Sequence, residues 1–315
     1  KADYIGTGPY KFNEWRPNRY VELVKFDDYS ANPAPASGHA GKREALADKI
    51  RFMPVPDVGT RVSGVQAGDY DYAENNPGDL FGDLSEDKSI VIHPGGAPLF
   101  GLMFMNSKEG LLKSNFKLRR AIHTAINKEE ALRVSIGPEN LWSNEASFFP
   151  EGSAWHSSDG IKGFGEGNAE KAKSMAKEAG YDGTPIKLLV STNYQFHYDQ
   201  AAVFTNHLAK AGINVQMIVV DWATLIKKRA QPDQWDIFFT HHGTAPDPNL
   251  LTPLNDTYPG WWTTPEKQAL KDAFTGTSDT AERIKTWKEM QALMYEQVPA
   301  INTGHVYAYN IASPS

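Results

Sequence analysis

The stretch from Ile186 to Val220 constrains the fold more than any other part of the chain. It holds an apolar run, Ile186 to Val190, an amphipathic stretch, Asp199 to Ala211, closed by Gly212, and a second apolar run, Val215 to Val220. Strand, helix and strand within about 35 residues is a βαβ unit, and strands joined by such a crossover lie parallel. The pattern continues with a helix over Trp222 to Ala230 and a strand over Trp235 to Thr240. Parallel sheets bind ligands beyond the carboxyl ends of their strands. In this chain that place belongs to His241 to Asp247, within WDIFFTHHGTAPDP (Trp235 to Pro248), an apolar run that breaks into two histidines, a glycine and an Asp-Pro turn.

Upstream the pattern is different. YVELVKF (Tyr20 to Phe26) alternates as a half-buried strand does, and Ile50 to Val55 reads the same way. Between them SANPAPASGHAG (Ser30 to Gly41) has little to bury and is expected to form an exposed, poorly ordered loop. From Ser114 the texture turns helical. Ser114 or Asn115 can cap a helix in which Phe116, Leu118, Ala121, Ile122 and Ala125 recur at three- and four-residue spacing. A further helix, Asn168 to Ala179, opens on an Asn cap and stops at Gly180.

Composition removes whole classes of function. Basic residues number 32 against 38 acidic ones, and they are scattered apart from short runs such as Lys227-Lys228-Arg229, which argues against a nucleic-acid partner held by its phosphates. Cysteine is absent, so neither disulfides nor thiolate metal sites exist. No apolar run approaches the length of a membrane span. The 8 Trp and 13 Tyr include several in loop-like sequence, among them Trp261 and Trp262, and exposed aromatic rings either stack on ligands or pack between lobes.

A series of short phrases then carries a family resemblance. IGTGPYKFNEW (Ile5 to Trp15), VELVKFDDY (Val21 to Tyr29), ADKIRFMPVPD (Ala47 to Asp57) and VQAGDYDYA (Val65 to Ala73) open it. LRRAIHTAINKEEAL (Leu118 to Leu132), KEAGYDG (Lys177 to Gly183), LAKAGINVQ (Leu208 to Gln216), VDWATLIKKRA (Val220 to Ala230) and TWKEMQALMYEQVPAI (Thr286 to Ile301) follow in the same order. Any one phrase is weak and the collinear series is strong. It resembles the family 5 solute-binding proteins, the receptors of ABC importers for peptides, nickel and related solutes.

The resemblance implies an α/β, two-lobed periplasmic-binding-protein fold of the dipeptide-receptor type. It is expected here as a fragment: residues 1–97 from domain I, 98–297 as domain III, and 298–315 returning into domain I. It implies a receptor that captures a peptide-like or other polar solute in an interlobe cleft by hinge closure about crossings near Pro98 and Pro299, then delivers it to a membrane permease. No cofactor, no resident metal and no enzymatic activity are expected. A periplasmic or lipid-anchored location and a monomer are expected, paired with the missing amino-terminal piece if that persists as a separate chain.

The same resemblance exposes departures at the site. Peptide-binding members carry, after the strand corresponding to Trp235 to Thr240, a tryptophan, an aspartate three positions later, and an Asp-Pro; the aspartate pairs with the ligand's amino terminus. Registered on Asp247-Pro248, the tryptophan position is His241 and the aspartate position is Thr244. A buried ammonium without its carboxylate keeps a desolvation penalty of several kcal/mol, which no threonine hydroxyl offsets. Dipeptide receptors also hold the ligand carboxylate with an arginine between the strand Ile186 to Val190 and the next helix, and STNYQFHY (Ser191 to Tyr198) has none.

What remains is a neutral to weakly basic wall of Asn193, Tyr194, Gln195, His197, His241, His242 and Thr244, with Phe239, Phe100 and Asn75 completing the candidate set. Such a wall suits polyol, sugar-like, amide-rich or blocked-peptide ligands, or long peptides held by their backbone. His241 and His242 are consecutive on extended chain, so their side chains point to opposite faces and one of them at most meets a ligand. Asp247 is expected to organise the Asp-Pro turn. His241 with a distant histidine such as His197 could ligate nickel or a metal chelate, which is the alternative reading. A hydrolase is the remaining class, but no nucleophile elbow, HExxH or phosphate loop is present.

Overall fold

Alternating residues along the amino-terminal third do form strands. In the computed structural model, which describes residues 5–37, 40–74, 76–95 and 98–314, strands β1 (Tyr10–Arg16), β2 (Tyr20–Lys25) and β3 (Lys49–Phe52) make an antiparallel meander in that order. β3 ends before the prolines at 54 and 56, which cannot donate to a ladder, so it is shorter than its apolar run suggested. Glu22 is nearly buried at the middle of β2. Hydrogen bonds from Arg51 and Asn13, with Lys49 3.3 Å away, hold its carboxyl down at about 2. Helix α1 (Val58–Ala67) is capped by Asp57, whose carboxylate accepts the Thr60 N–H, and stops at Gly68 at φ 80. The loop after β2 carries fixed turns: Ser37 and Ala40 form an isolated bridge, and Lys42 N–H reaches Ala34 O; Gly38 and His39 lie outside the described residues.

These elements belong to the first of two compact units, Lys1–Asp71 and Tyr72–Ser315. The second unit contains, in chain order, β4 (Tyr72–Ala73), α2 (Phe81–Glu86), β5 (Val91–Pro94), β6 (Leu99–Met105), α3 (Phe116–Ala125), α4 (Lys128–Ser135), β7 (Trp142–Ser143) and α5 (Ala169–Glu178). β8 (Ile186–Ser191), α6 (Gln195–Lys210), β9 (Val215–Val220), α7 (Trp222–Arg229), β10 (Ile237–Gly243), α8 (Pro265–Thr275), α9 (Thr280–Gln297), β11 (Ala300–Val306) and β12 (Tyr309–Ala312) complete it.

Six strands form one sheet in the order β7-β11-β6-β10-β8-β9. The βαβ reading holds, since β8 runs parallel to β9 and β10 parallel to β8. β6 then pairs antiparallel with β10 on one side and with β11 on the other. Both faces are covered. Met103, Met105, Leu188, Ile237 and Phe239 pack on one side against α3, α5 and α6, while Leu102, Phe104, Leu189 and Phe238 pack on the other against α7, α8 and α9. Because both faces are buried, the central strands read as continuous apolar runs.

Two expectations shift. α6 begins at Gln195, one turn before Asp199, and β10 runs through both histidines to Gly243 because its register with β6 continues to Gly243↔Leu99. On the carboxyl side, Ala300–Val306 completes the six-stranded sheet beside β6, and β12 leaves it to pair antiparallel with β4 and β5.

Arg119 on α3 ties this unit together. It is fully buried and donates to the carbonyls of Leu112, Lys113, Asn106 and Gln297 and to the Ser107 hydroxyl, at 2.8 to 3.3 Å. Burial lowers it to about 10, still charged at neutral pH. Replacing Arg119 by Met leaves several buried acceptors unpaired, each costing roughly 1–3 kcal/mol. Urea unfolding of Arg119→Met is expected to lose about 3 kcal/mol or more. A loss below about 1 kcal/mol would show that water replaces the guanidinium.

Candidate functional site

The site is built where the parallel strands end. β8 stops at Ser191, and the chain turns through Asn193, whose N–H donates to the Ser191 hydroxyl at 3.2 Å. The Asn193 side-chain oxygen accepts the Trp222 N–H at 2.8 Å and so ties the end of β8 to the start of α7. α6 then begins after Tyr194, which provides no side-chain cap, and His197 falls in its first turn. β10 brings His241 to the same place from the neighbouring strand. His241 Nδ1 lies 3.2 Å from His197 Nε2, and the Tyr194 ring stands edge-on to His241 at 4.6 Å. Phe196 at 5.8 Å and Trp222 at 6.1 Å flank the same imidazole.

The electrostatics are those of a neutral wall. Burial holds both His197 and His241 below the usual imidazole range, and the proximity of His241 lowers His197 further. Gln195 is turned to Asp199, whose carboxylate accepts its amide at 2.9 Å. The two imidazoles are the metal-capable donors that the fold brings together here. Among the described residues no group of three or more His, Cys, Asp or Glu is placed to hold a metal ion.

The other candidates divide. His242 points to the opposite face, where its Nε2 lies 3.3 Å from the Tyr258 hydroxyl and its ring packs near Phe100. Thr244 donates its hydroxyl to Pro98 O at 3.0 Å. Phe239 is fully buried between His197 and Phe204, and Phe100 is likewise buried, so both are packing residues in this structure. Asn75 lies outside the described residues. Asp247 accepts the Asn249 N–H at 2.9 Å and pairs with Arg283 at 2.6 Å, which fixes the Asp-Pro turn. Thus Tyr194, His197 and His241 come together with Asn193 beside them, while His242, Thr244 and Phe100 do not join that cluster. Trp222 and Phe196 were missed. The rule that singled out His241, a side chain just past the carboxyl end of a parallel strand, also selects Trp222 after β9.

Residues 1–261 match the family described as bacterial extracellular solute-binding proteins, family 5, middle region. A curated relative, the probable peptide ABC transporter periplasmic-binding protein y4tO of Sinorhizobium fredii, is 26% identical over 317 residues, covering 95% of this chain and 60% of that protein. Among solved structures, the periplasmic binding protein DppA from Helicobacter pylori, in complex with the peptide STSA, superposes with a TM-score of 0.82 at 20% identity over 98% of this chain and 59% of that one. The periplasmic binding protein AgaA from A. tumefaciens R10, in complex with agropinic acid, does so with a TM-score of 0.79 at 22% identity over 97% of this chain and 61% of that one. The chain therefore spans about 60% of the length of the proteins it matches. The structural likeness bears out the expected fold, the α/β class of the two-lobed solute-binding proteins.

The buried histidines give this unit a defined response to acid. His242 is held neutral to about 4, by burial first and then by His241 and Arg229, and His123 to about 3, by burial and then Lys128, against an ordinary value of 6.5. Below 6.5 the unfolded chain binds more protons than the folded one, so stability is full above that pH and falls as pH drops from 6.5 towards 4. Thermal midpoints are expected to be lower at pH 5 than at pH 7, with a smaller difference in His242→Phe. An equal difference in that variant would assign the proton uptake to other groups.

Proposed function

The chain belongs to the family 5 bacterial extracellular solute-binding proteins, and on that premise we propose that it is the solute-capturing receptor of an ABC importer. It acts outside the cytoplasmic membrane, in the periplasm or on a lipid anchor. It closes by hinge motion on a peptide-like or other polar solute, and the closed form is what a membrane permease recognises. It performs no chemistry on the solute.

One observation carries the reading of this site: the carboxyl ends of β8, β9 and β10 meet at an aromatic, uncharged wall of Tyr194, His241, Phe196 and Trp222. Thr244, at the position where peptide receptors of the family place the amine-binding aspartate, has its hydroxyl engaged by Pro98 O. Free dipeptides held at both charged ends are therefore poor candidates. Blocked or longer peptides, amide-rich solutes and opine-like molecules suit the wall, in keeping with the peptide and the agropinic acid bound by the two structural neighbours. A nickel chelate is a second reading, favoured by the approach of His197 and His241, and it would have to bring its remaining ligands with it.

Native mass spectrometry of the protein purified from its own host is expected to show one co-purifying solute. Thermal-shift titration against free dipeptides, N-acetylated peptides, opines and nickel chelates then ranks the classes, since a solute at 100 times its Kd stabilises by about 2.7 kcal/mol. Strong stabilisation by free dipeptides, abolished by Thr244→Ala, would overturn the reading of this loop.

A further inference from the structure

His197 is fully buried; its Nε2 meets His241 Nδ1 at 3.2 Å, while its own Nδ1 is buried without a hydrogen-bond partner. A hydrogen bond between two neutral imidazoles needs one N–H and one lone pair, so two arrangements exist. If His241 donated from Nδ1, the proton of His197 would sit on its Nδ1, a buried N–H with no acceptor. If His197 donates from Nε2, the atom left alone is a lone pair. Orphaned buried N–H groups are the rarer of the two kinds. The helix acts in the same sense. His197 lies in the first turn of the sixteen-residue α6, whose start has no side-chain cap, and the partial positive charge there disfavours an N–H on the ring nitrogen nearer the backbone.

The tautomer of one ring then sets that of the other. His241 accepts at Nδ1, and burial keeps it neutral, so its single proton resides on Nε2. We propose that His241 Nε2–H is a fixed hydrogen-bond donor for the captured solute, with His197 as the positioning residue, so that the solute presents an acceptor oxygen here rather than an ammonium. This rests on the receptor reading above and adds the polarity of one contact to it. The acids at the two helix starts are engaged elsewhere: Asp221 accepts the N–H and hydroxyl of Thr224, and Asp199 accepts the Gln195 amide. The rings of Tyr194, Phe196 and Trp222 around the imidazole limit the water that would compete with such a bond.

Long-range proton–nitrogen NMR of the wild-type protein reads each imidazole tautomer directly. The expected result is Nε2–H at both His197 and His241; Nδ1–H at His241 overturns the proposal. The His197→Gln variant keeps a donor and is expected to hold the His241 tautomer, whereas His197→Phe is expected to release it to a mixture. Binding is probed by thermal shift with two tetrapeptide sets, N-acetylated free acids and C-amidated free amines. The acids are expected to stabilise the protein more than the amines, with about tenfold weaker binding in His241→Phe and a smaller loss in His241→Gln, which retains an N–H. Equal stabilisation by both sets, unchanged in His241→Phe, overturns the proposal while the receptor reading stands. A melting temperature moved by neither set counts against a peptide as the solute, and the nitrogen spectra still decide the tautomer on which the proposal stands or falls.

Discussion

Strand β6 is the constraint on which the larger unit depends. It lies between β10 and β11, antiparallel to both, with Phe100 to Met105 all buried. Its one small residue is required by its neighbours. A Cβ on Gly101 would stand 2.2 Å from the Thr303 hydroxyl oxygen on β11, closer than real Cβ atoms approach. Across the same pair, the β11 register shifts between Asn302 and Gly304, and Gly304 sits at φ 122, where a Cβ would press on Leu132. Gly101 thus leaves room for the Thr303 side chain, and Gly304 for Leu132 of α4.

Register is how this packing reaches the site. With Ile237↔Met105 and Gly243↔Leu99 fixed, His241 falls on the α6 side of the sheet and His242 on the Tyr258 side. A slip of one residue would exchange them and would also drive Phe238 and Phe239 into the wrong cores. The packing misfit of that exchange, with each ring forced into a core already filled by other side chains, is what holds the histidine assignment. The facing of the two histidines is thus set by the packing of the strand that carries them.

Legibility in the sequence followed the range of the interactions. The βαβ segment, the Asn115 and Asn168 caps and the Gly180 and Gly212 stops were readable because each is decided within a few residues. β6 is not legible as a strand, since a wholly apolar run has no period to distinguish a buried strand from a buried helix, and β11, AINTGHV, is not legible because its residues do not alternate and its partners lie far along the chain. The start of α6 was placed late because Gln195, Phe196 and His197 carry no capping signal. At the site, the opposite facing of His241 and His242 followed from strand geometry alone. The engagement of Thr244 by Pro98 O did not, because that bond joins residues 146 positions apart. Nor is the burial of the candidates Phe239 and Phe100 legible there, since it comes from packing on both faces of the sheet.

A site without charged anchors selects in a different way from one that has them. Where a carboxylate faces an ammonium, net charge sets most of the preference and small errors of orientation are tolerated. In the proposed site Tyr194, His197, His241, Phe196 and Trp222 offer rings and two neutral imidazoles, so preference there would depend on which atoms carry protons and on the directions of those bonds. Burial of the pair is what makes this possible, since an imidazolium at His241 would attract any anion, whatever its shape. The cost is that a buried neutral pair has to be satisfied internally, and the 3.2 Å contact between the rings does that for one nitrogen of each. Specificity in this wall is therefore inseparable from the packing that keeps it neutral.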